Sequence, residues 1–252
     1  MAGDDNVRPL NVRPLWKRIA KAILKLLHLE VHLVPGGKPS PLRPWEDNRD
    51  FLALMEEIAS HTLVAPLPCF NLYQLVRRAR FLEGEIAEAG VYRGGTAQLL
   101  AHVAQNKQVH LFDTFSGMPA ADPSKDLHKA GDFSDTSLDS VKARLSKYEN
   151  VIFHPGFFPE TAASVTDLKF SFVHVDVDIY RSVMDCCLFF YPRMTIGGVM
   201  VFDDYGQVSC PGAKDAIDKF LEGKSDAGLY LPSGQYVLIK TSAVCHLPES
   251  GG

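Results

Sequence analysis

Phe170-Ser171-Phe172-Val173-His174-Val175-Asp176-Val177-Asp178 and Val199-Met200-Val201-Phe202-Asp203-Asp204 are two largely apolar runs, and each ends in acidic residues. Continuous apolar runs are the pattern of strands buried on both faces of a parallel sheet, and in open α/β sheets ligands bind beyond the carboxyl ends of such strands. Both acidic clusters stand at that end. Neighbouring strands lie about 4.8 Å apart. If these two are neighbours, Asp176, Asp203 and Asp204 gather several carboxylate oxygens around one point, which requires a cation. An oxygen-only donor set suits Mg²⁺ or Mn²⁺. The competing reading is that the acids cap the helices that follow, as Asp178 would before Tyr180-Arg181-Ser182. Two clusters in register favour metal over capping.

Composition limits the alternatives. With 252 residues, 46% hydrophobic and 22% charged, the chain is long enough to bury a full core, and a main domain with an appendage is expected. A net charge of −4 gives no electrostatic reason for a nucleic-acid partner. The cysteines, Cys69, Cys186, Cys187, Cys210 and Cys245, are odd in number and lack paired zinc-ligand spacing, so they read as reduced packing thiols. No apolar run approaches a membrane span, and Met1-Ala2-Gly3-Asp4-Asp5 lacks a secretory charge pattern, so a cytoplasmic location is expected.

Along the chain, Asn6-Val7-Arg8-Pro9-Leu10 repeats as Asn11-Val12-Arg13-Pro14-Leu15 and reads as a lead-in. Residues 15–29 then form a basic amphipathic pattern, with Trp16, Ile19, Ile23, Leu26 and Leu27 on one face and Lys17, Lys21 and Lys25 on another. Such a helix packs on its own domain or across a homo-oligomer, with weak contact to a membrane surface as the lesser reading. Pro35 to Pro44 is a linker, Asn48 caps a helix carrying Phe51, Leu52 and Met55, and a second helix is expected over Leu72 to Leu82.

From Glu85 strand and helix alternate: strands over Glu85–Val91, Val109–Phe112 and Val151–His154, the two runs ending at Asp176 and Asp203, and helices between them. That alternation predicts a doubly wound α/β sheet, which Leu229-Tyr230-Leu231, a turn, and Gln235 to Lys240 close as a terminal antiparallel hairpin. The polar stretch Ser116 to Asp135 interrupts the alternation and reads as a lid. The expected divisions are residues 1–45 as extension and linker, 46–84 as a helical cap, and 85–243 as the main domain.

At the same carboxyl end of the sheet, Glu88-Ala89-Gly90-Val91-Tyr92-Arg93-Gly94-Gly95-Thr96 joins the first strand to the first helix, where glycine lets a backbone approach a ligand. The spacing is not GxGxxG, and Glu88 would repel phosphate. Adenosine with a cationic amino-acid tail therefore fits better than a dinucleotide. Asp113, at the end of the second strand, is placed to accept from ribose hydroxyls. Phe157 and Phe158 are available to bound an adenine, one of them more plausibly belonging to the core.

Taken together, Glu88-x-Gly90-x-Tyr92, Asp113-Thr114-Phe115-Ser116-Gly117-Met118-Pro119, His154-Pro155-Gly156-Phe157-Phe158, Asp176-x-Asp178-x-Tyr180 and Asp203-Asp204-Tyr205 resemble the macrocin/mycinamicin-type (TylF-like) S-adenosylmethionine-dependent O-methyltransferases over roughly Leu82 to Lys240. The resemblance implies a class I methyltransferase, Rossmann-like sheet with a helical N-terminal cap. It implies S-adenosylmethionine over the first two strands, bounded by Glu88, Gly90, Tyr92, Arg93, Thr96 and Asp113. Ser116, Gly156, Phe157, Phe158 and Asp176 complete that set. It further implies a divalent metal, Mg²⁺ or Mn²⁺, on Asp176, Asp203 and Asp204, and a small-molecule acceptor: a sugar or polyol hydroxyl on a natural product or glycan.

A more distant likeness to catechol O-methyltransferases supports the same metal positions, but the lysine those enzymes carry three residues after the first metal aspartate is Ile179 here. Val177 likewise replaces the usual glycine of the macrocin type. With no lysine base, Asp176 is the first candidate to take the hydroxyl proton and Asp178 the second. The alternatives are a catechol-like phenol as acceptor, a nicotinamide-dependent oxidoreductase, and a membrane-peripheral scaffold with a decayed site. The glycine spacing argues against the second, and the intact acidic clusters against the third.

Overall fold

The computed structural model describes residues 43–224, 226 and 228–241. The tandem repeat, the basic pattern at 15–29 and Cys245 lie outside the described residues. The chain divides into Met1–Pro44 and Trp45–Gly252, and every element below belongs to the second unit.

Two helices precede the sheet. In α1 (Arg49–Ile58) the expected cap is present, Asn48 Oδ1 accepting from the Phe51 amide at 3.0 Å. α2 (Pro66–Ala79) begins six residues before the expected Leu72, because Pro66 sits at the first helical position behind an extended Ala65, where a missing N–H costs nothing. Then follow β1 (Glu85–Ala89), α3 (Gly95–Ala104), β2 (Val109–Asp113), α4 (Leu138–Leu145), β3 (Val151–Pro155), β4 (Phe170–Val175), α5 (Tyr180–Phe190), β5 (Met194–Phe202), α6 (Pro211–Leu221), β6 (Gly228–Tyr230) and β7 (Tyr236–Ile239). The helix expected after Pro159 is a 3₁₀ segment, Glu160–Val165.

The described strands form a sheet in the order β3-β2-β1-β4-β5-β7-β6. The first five are parallel, while β7 runs antiparallel to both β5 and β6. The strand order reverses between β1 and β4, which makes a crevice at their carboxyl ends.

Why the strand sequences are apolar throughout follows from the two layers. Ile86, Leu111, Phe172 and Val199 face one buried cluster with Phe51, Leu72, Leu99 and Val141 of the helices. Their neighbours Ala87, Phe112, Val173 and Met200 face the opposite cluster with Phe190, Ile217 and Phe220. Among the described residues no helix is long and apolar enough to cross a membrane.

Candidate active site

β4 and β5 are neighbours, with Val175 paired to Phe202, so Asp176 and Asp203 stand side by side one residue beyond the ladder. One oxygen from each of Asp176, Asp203 and Asp204 lies within 4.8 Å of the others. Burial raises the Asp176 carboxyl well above the usual carboxylate range, and the charges of Asp203 and Asp204 raise it further. Asp204 is raised in the same way, by burial and then by Asp178 and Asp203. The Asp176 carboxylate takes no hydrogen bond among the described residues. Three crowded oxygen donors, two of them, Asp176 and Asp204, with their negative form suppressed by burial and repulsion, fit a hard divalent cation.

Behind this cluster runs a buried chain of polar groups. Glu88 on β1 pairs in register with His174 on β4, and their side chains meet at 2.8 Å, Oε1 to Nδ1. The other imidazole nitrogen lies 3.5 Å from Asp203 Oδ1. Burial opposes a charge on His174, but the hydrogen bonds to Asp203 and Glu88 and the charges of Glu88 and Asp176 outweigh it and hold its pKa well above the ordinary value. Asp203 Oδ1 also accepts from Gln235 Nε2 at 2.8 Å, and Gln235 Oε1 accepts from Asn71 Nδ2 on α2 at 2.9 Å. Helix α2 and the hairpin turn thus fix the direction of Asp203.

The β1–β2 end is built differently. Asp113 Oδ2 accepts from the amides of Val91 and Tyr92 at 2.6 and 2.9 Å, and Oδ1 accepts from the Phe115 amide at 2.6 Å. Asp113 therefore ties its own loop to the loop after β1. Gly90 adopts φ +85°, and a Cβ there would stand 1.7 Å from the Asp176 carbonyl oxygen, so only glycine lets β1 and β4 end in contact. Tyr92, Phe133 and Asp178 also take positive φ while lining the cavity, a concentration of backbone strain at one place.

The stretch after Ser116 closes on itself: Met118 N–H donates to Asp132 O at 2.7 Å and Gly131 N–H to Met118 O at 2.9 Å. It is fastened in the middle by the buried Asp126, whose Oδ1 accepts from the Tyr180 amide at 2.8 Å, at the start of α5. Asp126 thus occupies the helix start that Asp178 was expected to cap. The residue at the N-cap is Ile179, and Asp178 turns away to His128 and Cys210.

A cavity of about 420 Å³ spans both ends. Of the residues singled out from sequence, it brings together Gly90, Tyr92, Thr96, Asp113, Gly156, Phe157, Phe158, Asp176, Asp178, Asp203 and Asp204. It does not include Glu88, which is fully buried behind the wall, nor Arg93, which is ion-paired with Asp135, nor the exposed Ser116. Of the two phenylalanines, Phe158 stacks on Phe190 at 5.2 Å as part of the core, whereas Phe157 is 43% exposed. Sequence reading passed over His174, Gln235, Asn71, His128 and Cys210. Only His174 carried a local signal, a polar residue inside an otherwise apolar strand.

Against known proteins, the family model described as macrocin-O-methyltransferase (TylF) matches residues 60–226. The chain is 29% identical over 179 residues to demethyldecarbamoylnovobiocin O-methyltransferase of Streptomyces niveus, covering 64% of this chain and 68% of the relative. It is 30% identical over 179 residues to 8-demethyl-8-(2,3-dimethoxy-alpha-L-rhamnosyl)-tetracenomycin-C 4'-O-methyltransferase of Streptomyces olivaceus, covering 64% and 67%. Among solved structures, the O-methyltransferase NovP superposes with a TM-score of 0.64 at 24% identity, over 72% of this chain and 83% of that one.

Proposed function

The chain belongs to the macrocin-O-methyltransferase (TylF) family and is an S-adenosylmethionine-dependent O-methyltransferase; on that premise we propose that it methylates a hydroxyl of a sugar or polyol on a small natural product or glycan, with a divalent cation on Asp176, Asp203 and Asp204. The observation that carries this reading is the convergence of those carboxylates in the cavity that Gly90 and Asp113 also line. The rhamnosyl acceptor in the name of the Streptomyces olivaceus relative supports the sugar class.

S-adenosylmethionine supplies the electrophilic methyl group, and Mg²⁺ or Mn²⁺ supplies Lewis acidity toward the acceptor hydroxyl. The chain supplies position. Gly90 allows close backbone approach, Asp113 holds the two loops at the cofactor end, and Phe157 offers an apolar face. Asp178 is the better base than the first candidate, Asp176. The Asp176 oxygens face Asp203 and Asp204 and would be taken up in holding the cation, whereas Asp178 Oδ1 faces the cavity side occupied by His128 and Cys210. Asp178 takes the hydroxyl proton while the loop 116–135 excludes water.

We assign residues 46–84 as the helical cap that shapes the acceptor side, a reading supported by the Asn71–Gln235–Asp203 hydrogen bonds, and 85–243 as the catalytic domain. Residues 1–45, of which 1–42 lie outside the described residues, are assigned as an N-terminal extension and linker. Incubating the full chain with S-adenosylmethionine, Mg²⁺ and a panel of glycosides and phenols tests the reading by mass spectrometry. Methylated glycosides are expected; methylation confined to phenols would replace the acceptor class.

A further inference from the structure

Beside the carboxylate cluster, and made of different residues, three unlike donors face one another: His128 on the loop 116–135, Asp178 after β4, and Cys210 at the start of α6. We infer that His128, Asp178 and Cys210 form a second cation site, selective for a borderline-soft ion such as Zn²⁺, which on binding pins the loop and withdraws Asp178 from catalysis. The edges of the triangle are 3.6 Å from His128 Nε2 to Cys210 Sγ, 3.4 Å from Cys210 Sγ to Asp178 Oδ1, and 3.8 Å from His128 Nε2 to Asp178 Oδ1. Tetrahedral zinc, with bonds of ~2.0–2.1 Å to nitrogen, ~2.3 Å to sulfur and ~2.0–2.2 Å to oxygen, sets its donors about 3.4–3.6 Å apart. The side chains need move by only a few tenths of an ångström.

A second feature points the same way. His128 Nδ1 lies 3.1 Å from Asp132 Oδ2, the carboxylate–imidazole arrangement that fixes a metal-binding tautomer and leaves Nε2 free to ligate. Cys210 is buried, and burial together with Asp204 raises its thiol, so a bound ion must displace the thiol proton. The acids that hold that proton attract the cation equally.

The two sites would sort ions by donor type: oxygen-only at Asp176, Asp203 and Asp204 for the hard cation, and nitrogen, sulfur and oxygen here for the softer one. They are joined through the Asp178 amide, which donates to Asp204 Oδ2 at 3.0 Å. Three protein donors leave a fourth position, and all three residues line the cavity. Ligation stands independently of the reading of the carboxylate cluster; only the inhibitory consequence rests on Asp178 being the base.

The test is Co²⁺ added to the full, reduced chain in excess Mg²⁺, followed by Zn²⁺ competition. Expected are a thiolate-to-cobalt charge-transfer band that Zn²⁺ abolishes, loss of that band in Cys210→Ser, and Zn²⁺ affinity lower in His128→Ala by at least the roughly 10- to 100-fold that loss of an outer partner alone costs. No thiolate band in the parent chain, or an unchanged band in Cys210→Ser, would overturn the site. Should Cys210→Ser fail to fold, unchanged Zn²⁺ affinity in His128→Ala overturns it equally. Zn²⁺ is also expected to inhibit turnover in proportion to occupancy. Binding with the cysteine signature but undiminished turnover would refute the withdrawal of Asp178 while leaving the ligation intact.

Discussion

At the ends of β1 and β2 the acidic residues are answered by the protein itself: Glu88 by His174, and Asp113 by the amides of Val91, Tyr92 and Phe115. At the ends of β4 and β5 they are answered only in part: Asp203 accepts from Gln235 and Asp204 from the Asp178 amide, but the Asp176 carboxylate takes no hydrogen bond among the described residues. Asp176, Asp203 and Asp204 crowd together with few donors, and burial plus mutual repulsion lifts Asp176 and Asp204 well above the carboxylate range. An acid satisfied by backbone amides in the free chain is part of the scaffold, and its loss should loosen the fold. Acids pressed together with too few donors cost stability, which under the proposed function a cation would offset, a common trade between folding and function.

Turnover is where the contrast should be largest. Chelation, or Asp203→Asn, is expected to lower kcat by on the order of a thousandfold, equivalent to a few kcal/mol of lost charge stabilisation, with Mg²⁺ restoring only the parent chain. Full activity in excess chelator would remove the cation from the account.

On the β1–β2 side, Asp113→Ala should destabilise the chain by about 2–4 kcal/mol, because it strands the amides that its carboxylate now satisfies. It should also weaken S-adenosylhomocysteine binding by ~1.5–3 kcal/mol. Unchanged urea unfolding would deny Asp113 its structural role, and unchanged calorimetric affinity its place beside the cofactor.

A third prediction concerns pH. Burial, and then the neighbouring His154, push His110 down to about 4 from an ordinary 6.5. The unfolded chain therefore binds a proton between those values that the folded chain refuses, so stability falls as pH drops through that window. Between pH 7.5 and 5 the loss should be about 1–2 kcal/mol, allowing for screening where β3 forms the sheet edge. His110→Gln should flatten the slope in chemical denaturation; an unaltered slope would locate the acid sensitivity elsewhere.

The smallest effect tests how α2 reaches the carboxylate cluster. Asn71→Ala removes one of the two donors to Gln235 Oε1 and should cost about 1 kcal/mol of stability while raising the Mg²⁺ concentration needed for half-maximal rate several-fold. A stability change with no shift in Mg²⁺ dependence would make the link purely structural.

The strands and their acidic ends were legible because burial on both faces leaves a continuous apolar run, and the run's end is its ligand end. Asp176, Asp203 and Asp204 could be placed together for that reason. What escaped depends on contacts between distant segments. The Glu88–His174 pair appears only once β1 and β4 are in register, and Gln235 only once the hairpin folds back on Pro68 and Asn71. The start of α2 at Pro66, six residues before the expected Leu72, depends on the extended Ala65 that lets a proline open the helix. His128 and Cys210 lie in loops without periodicity. The capping alternative for Asp178 failed because Asp126, far away in sequence, takes the α5 amide first.

The most direct test of the contrast is thermal unfolding of Asp176→Asn beside the parent chain, in chelator and in Mg²⁺. A carboxyl whose folded pKa is raised loses stability as pH climbs from its unfolded value toward its folded one, so neutralising Asp176 should help, and more so at higher pH. The account predicts that in chelator the variant melts roughly 2–4 °C above the parent, the shift for about 1 kcal/mol, while Mg²⁺ raises the parent and leaves the variant unmoved. A variant that melts below the parent in chelator, or that keeps the full Mg²⁺ response, would contradict it.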